Sequence, residues 1–137
     1  LSERNRRRQS GRCMDCGVPF CQAGASFEGV LLGCPLHNLI PEWNDLLWNG
    51  NYEGALQRLL KTSPFPEFTG RVCPALCERA CVCGQVSEPV TIRENELSII
   101  EYGFENDLMQ PMPSAARSAP GRPDFPQLTI SIAAAIM

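Results

Sequence analysis

CMDCGVPFC, the run Cys13–Cys21, decides how the chain is read, together with CPALCERACVC at Cys73–Cys83 and the Cys34-Pro35 step between them. The first run spells Cys13-x2-Cys16-x4-Cys21 and the second Cys73-Pro74-x2-Cys77-x3-Cys81. A Cys-x2-Cys pair sets two thiolates on one turn around a single metal centre, and a more distant fourth ligand closes the site. In two-cluster ferredoxins the cysteine that precedes a proline serves the other cluster. Both cysteine groups here have a Cys-Pro, so the spacing predicts two interlocked [4Fe-4S] clusters. The proline also removes an N–H and fixes φ, which orients the cysteine beside it.

Zinc competes for the same thiolates. Its structural sites usually bring two Cys-x2-Cys knuckles, whereas this chain has one such pair, so a zinc-binding interaction module is the alternative. Eight cysteines would also allow four disulfides in a secreted scaffold. No export signal is visible, because the basic start runs into Cys13, Met14 and Asp15 and not into an apolar segment. In a reducing compartment clustered thiols bind metals or react, so thiolates and a cytoplasmic location are expected.

A chain of 137 residues with net charge -3 has room for one ordinary domain. Its single lysine, Lys61, stands beside eleven arginines, and Arg4, Arg6, Arg7, Arg8 and Arg12 crowd the start. Residues 1–12 carry no aromatic to stack a base and no apolar face to enter a bilayer, so a flexible basic arm is expected, with neither nucleic acid nor membrane as partner. The apolar run at Ile130–Met137 is far too short to span a bilayer.

Helical periodicity appears in three places. Ile40, Trp43, Leu47 and Trp48 recur at helical spacing behind Pro41, which suits a first turn. Asn51 is a good N-cap for a second helix with Ala55, Leu56, Leu59 and Leu60 on one side, stopping before Ser63-Pro64. Thr91 and Glu94 form the pattern of a capping box ahead of Ile92, Ile99 and Ile100. Residues 64–70 read as a loop with two exposed aromatics, Phe65 and Phe68, and Pro74 as the opening of a helical turn. No β-sheet is expected. Beyond Phe104, prolines at 111, 113, 120, 123 and 126 predict a linker or disorder over 105–127, and residues 128–137 a short strand or helix. The fold class is therefore all-α, with cysteine-rich loops and a poorly ordered C-terminal tail.

Two cubane clusters need eight ligands, but Cys81 and Cys83 are one residue apart and would strain to serve separate corners. One of them is then spare. Glu96 lies four residues after Ile92 and four before Ile100, on the apolar face of the last helix. A carboxylate there either replaces the missing thiolate or forms a salt bridge to an arginine such as Arg71 or Arg79. His37, the only histidine, is read first as a loop side chain, and Trp43 and Trp48 as helix-packing core.

Arg12-Cys-Met-Asp-Cys-Gly-Val-Pro-Phe-Cys21, Cys34-Pro-Leu-His-Asn-Leu-Ile-Pro-Glu-Trp-Asn44, Gly70-Arg-Val-Cys-Pro74 and Pro89-Val-Thr-Ile92 resemble the N-terminal domain of the small (beta) subunit of NADPH-dependent glutamate synthase. The same module resembles the N-terminal region of dihydropyrimidine dehydrogenase. The resemblance covers residues 1–104 and implies an α-helical ferredoxin-like domain with two [4Fe-4S] clusters. By that analogy Cys13, Cys16, Cys21 and Cys81 hold one cluster, Cys34, Cys73, Cys77 and Glu96 the other, and Cys83 is the spare thiol. It also implies partners: a C-terminal flavin domain of the same subunit, which binds FAD and NADPH, and a large FMN-containing synthase subunit. This chain has no G-x-G-x-x-G fingerprint, so FAD and NADPH are expected only in a remainder that is missing here. The twelve residues between Cys21 and Cys34 exceed the spacer of many relatives, which leaves the path of Cys34 to its cluster open.

Overall fold

Pro41 and Asn51 begin two of the helices in the computed structural model, which describes residues 2–109. The elements run α1 (Glu3–Ser10), β1 (Ala25–Phe27), β2 (Val30–Leu32), α2 (Ile40–Trp48), α3 (Tyr52–Leu59), α4 (Pro66–Val72), α5 (Leu76–Arg79) and α6 (Ile92–Glu105). The protein is mainly α-helical, as the periodicity predicts. The proline tract and residues 128–137 lie outside the described residues.

Three faces make the core. α2 contributes Ile40, Trp43 and Leu47, α3 contributes Ala55, Leu56 and Leu59, and α6 contributes Ile92, Ile99 and Ile100. Each large side chain withdrawn from water adds about 1.5–3 kcal/mol, before the entropy of ordering it is counted. The side chain of Asn51 caps α3 by accepting from Gly54 N at 2.9 Å. α6 touches each of the other five helices and is the axis of the domain. Tyr102 of α6 stacks on Tyr52 of α3 with ring centroids 4.7 Å apart.

Several local expectations are corrected. The basic start is not a free arm: residues 3–10 form α1, because Arg7 Nε and Nη2 donate to Trp48 O at 3.2 and 3.1 Å. A guanidinium on the last carbonyls of α2 complements the negative end of that helix. Gly11 lets the chain pass against the Trp48 ring, where a Cβ would collide. Trp48 is accordingly half exposed and belongs to this contact, not to the core.

A small sheet is present. β1 and β2 pair antiparallel, Ala25 with Leu32 and Phe27 with Val30, around Glu28 and Gly29, whose φ values of 49° and 81° are those of a tight hairpin turn. Most of the stretch 64–70, read as loop, lies in α4, which runs Pro66–Val72 with Pro66 in its first turn. Phe65 and Phe68 are exposed there, as expected.

The capping box at Thr91 does not form. Thr91 makes no side-chain cap, and Glu94 is exposed. Instead Glu78 Oε1, from α5, accepts from Arg93 N at 2.9 Å and serves the start of α6 from a distance. The turn after Pro74 likewise begins late: Ala75 takes a left-handed φ of 54° and α5 starts at Leu76. Among the described residues no helix is long and apolar enough to cross a membrane.

Candidate metal centre

Cys34 N donates to Cys21 O at 2.7 Å, which resolves the long spacer between them. The chain leaves Cys21, turns through the hairpin and returns at Gly33, whose φ of +80° and contact with Phe20 O leave no room for a side chain. Cys34 is thereby delivered beside the first cysteine loop. Within that loop Asp15 holds a left-handed φ of 45°, which folds Cys13 and Cys16 onto one turn.

The second group is spread along a path. Cys73 ends α4, Cys77 is buried in α5, and Cys81 follows α5 with its N–H on Glu78 O at 3.1 Å. The left-handed Ala75 turns the chain between the first two.

These routes divide the thiols between two cavities. Cys13, Cys16, Cys21, Cys81 and Cys83 line one, a narrow space of about 20 Å³. Cys34, Cys73, Cys77 and Glu96 line the other, of about 170 Å³. Ile40, 1% exposed, stands in the wall of both. Cys73 and Cys77 thus face one cavity and Cys81 the other, so a single short segment supplies both sites.

The electrostatics follow the same division. Burial pushes the Cys21 thiol up to about 12, with the neighbouring Cys13, Cys81 and Cys16 adding to the shift. Burial also raises Cys13, again with Cys81 and Cys16 adding. Cys77 is raised by burial and then by Cys34, Glu78 and Cys73. Thiols so placed keep their protons at neutral pH, and a metal centre binding them would release those protons. None of the eight cysteines forms a disulfide. Among the described residues no three His, Cys, Asp or Glu side chains converge to hold a single metal ion.

Glu96 is buried on the inner face of α6, with 8% of its surface exposed. Burial raises its pKa, while hydrogen bonds from Thr69 and Ser63 oppose the shift. Thr69 Oγ1 donates to Glu96 Oε1 at 2.6 Å and Ser63 Oγ stands 3.5 Å from the same oxygen. The alternative reading, a salt bridge from Glu96 to Arg71 or Arg79, does not occur among the described residues: Arg71 pairs with Glu101 at 2.9 Å.

Cys83 is buried, and its Sγ donates to Arg12 O at 3.2 Å. Burial first, then Cys81, raises its pKa. His37 fits the loop reading, with Nδ1 3.1 Å from Gln22 O. The sequence did not single out Thr69, Ser63, Asn44 or Arg93. Arg93 lines the second cavity and its Nη1 donates to Cys73 O at 3.1 Å. The partnership of Thr69 with Glu96 spans 27 residues and has no signature in either local stretch.

The donor sets fit a cluster-binding role: five thiols around one cavity, of which Cys83 already uses its S–H on Arg12 O, and three thiols with a buried carboxylate around the other. The family model described as dihydropyrimidine dehydrogenase domain II, 4Fe-4S cluster, matches residues 1–108. The chain is 56% identical over 111 residues to "Glutamate synthase [NADPH] small chain" of Bacillus subtilis, covering 81% of this chain and 22% of that protein. It is 52% identical over 107 residues to the protein of the same name from Mycobacterium tuberculosis, covering 78% of this chain and 20% of that one. With "Glutamate synthase [NADH]" of Saccharomyces cerevisiae it shares 43% identity over 118 residues, 86% of this chain and 5% of the yeast protein. The chain therefore spans about a fifth of the length of these bacterial relatives.

Proposed function

The chain belongs to the family described as dihydropyrimidine dehydrogenase domain II, 4Fe-4S cluster, and from that premise we propose that residues 1–104 form one electron-transfer unit holding two [4Fe-4S] clusters. Cys13, Cys16, Cys21 and Cys81 are the ligands of the first cluster. Cys34, Cys73, Cys77 and Glu96 are those of the second. The observation that carries this reading is the division of the thiols between two cavities that share Ile40. When bound, such clusters carry one electron at a time, where a reduced flavin carries two.

The chain's own residues hold and shield. Ile40, Val90 and Ile92 keep water from the first site, and each is 1% exposed. Thr69 and Ser63 orient Glu96 at the second, and Arg93 adds a positive charge to its wall. In a glutamate synthase of the kind its relatives are named for, this unit would take electrons from an NADPH-reduced FAD. That FAD would lie in a C-terminal flavin domain of the same subunit, and the electrons would pass to FMN in a large synthase subunit. Its thiols suit the reducing cytoplasm.

The test is iron and acid-labile sulfide analysis of the full chain, produced and purified without oxygen. The reading expects about eight of each per chain, and a brown colour that dithionite bleaches. A colourless protein with stoichiometric zinc and no iron would replace it with a structural zinc module.

A further inference from the structure

Asn44 follows Ile40 by four residues on α2, so the two share a face, and both line the first cavity. Asn44 is fully buried, as is Asn95 on α6. Asn95 Nδ2 donates to Asn44 Oδ1 at 2.9 Å. That bond occupies the carbonyl of Asn44 and leaves its amide nitrogen, Nδ2, with no partner. Asn95 Oδ1 is also without a partner, but Asn95 does not line the first cavity. A buried N–H without an acceptor is costly, and an apolar side chain of the same volume would carry no such cost.

We propose that the Asn44 amide donates a hydrogen bond to a sulfur of the cluster held by Cys13, Cys16, Cys21 and Cys81, and that this bond raises the reduction potential of that cluster. The proposal rests on the two-cluster reading. Apart from Asn44, the side chains in that wall are apolar or cysteine, so its side-chain acceptors are sulfurs. Exchanging oxygen and nitrogen in both amides would preserve their mutual bond yet place the Asn44 carbonyl where the proposed bond needs a donor. Asn95 is a positioning residue: by holding Oδ1 it fixes the rotation of the amide and the direction of its N–H.

The sign follows from charge. Reduction adds an electron to the cluster, its sulfurs become more negative, and an N–H aimed at them interacts more strongly. The reduced form is stabilised and the potential rises. Asn44 is absent from the wall of the second cavity, so the second cluster serves as an internal control.

The experiment uses the full chain, loaded anaerobically, in the Asn44→Leu and Asn95→Leu variants. Iron content and an EPR-monitored redox titration are read for both clusters. Expected is unchanged iron, with a tenfold shift toward the oxidised form at the first cluster in Asn44→Leu, about 59 mV lower for one electron. Asn95→Leu should produce a smaller shift of the same sign, and the second cluster should not move in either variant. A lower melting temperature with both potentials unmoved would show a purely structural amide pair and overturn the proposal.

Should either variant not fold, pulsed EPR on the unaltered protein, labelled with 15N in the asparagine side-chain amide, decides. Coupling between the reduced first cluster and that nitrogen supports the bond, and its absence overturns it. An unaltered chain that binds no iron would remove the two-cluster reading and this proposal with it. Iron present with no coupling removes the proposal alone.

Discussion

Thr69 Oγ1 donates to Glu96 Oε1 across 2.6 Å, joining α4 to α6 at the wall of the second cavity. Ser63, fully buried, meets the same oxygen at 3.5 Å. Both hydroxyls use Oε1, so Oε2 is the oxygen left for the proposed ligation of the second cluster. A carboxylate held in this way is oriented before anything binds, which is the role of outer contacts around a metal ligand.

Glu96→Ala should therefore impair one cluster and spare the other. Anaerobic iron analysis is expected to fall to roughly half, with one EPR-active centre remaining. If the variant assembles both clusters unchanged, Glu96 is not a ligand.

Cys81 and Cys83 line the same cavity but differ in what they do there. Cys83 already uses its S–H on Arg12 O at 3.2 Å, and a serine hydroxyl can make the same bond. Cys83→Ser should leave iron content intact, whereas Cys81→Ser should lose the first cluster. Iron retained in Cys81→Ser and lost in Cys83→Ser would exchange their roles.

The parts of the fold legible in the sequence are those stabilised by their own residues. Ile40, Trp43 and Leu47, or Ile92, Ile99 and Ile100, recur at helical spacing, and Asn51 caps the helix it precedes. Glu96 among the isoleucines was recognisable by the same rule. What stayed hidden depends on remote partners. α1 has no apolar stripe and is anchored by Arg7 on Trp48 O, 41 residues away. The hairpin has three-residue strands exposed along their whole length, so no alternation marks it. α4 contains a threonine and a glycine, weak helix formers, and is held against α6. The start of α6 is served by Glu78 from another helix, which no local motif could announce. Periodicity finds a stripe that packs inward, and it is blind to an element held by one long-range contact.

Removing the metal should loosen the domain unevenly. The apolar core lies on α2, α3 and α6, while the segments 13–34 and 73–83 have few buried apolar side chains of their own. In these segments the structure is expected to depend on cluster binding. Anaerobic chelation should lower Tm, and hydrogen exchange should rise first in those two segments while α2 and α6 stay protected. Equal melting temperatures with and without iron would mean that the clusters do not hold these loops.

Gly70 offers a way to disturb one site through packing alone. It is buried on α4, and a Cβ there would stand 2.9 Å from Leu97 Cβ and 3.2 Å from Leu97 Cα on α6. Overpacking of this kind costs about 1–3 kcal/mol, and the better helix propensity of alanine returns up to about 1 kcal/mol. Gly70→Ala should thus lower Tm by a few degrees. Because Thr69 and Cys73 flank this contact, the loss should reach the second cluster and leave the first. Leu97→Gly removes the obstructing Cβ, so the double variant Gly70→Ala with Leu97→Gly should be more stable than the sum of the two single effects. Strict additivity in that cycle would mean that α4 is held off α6 by something other than this contact.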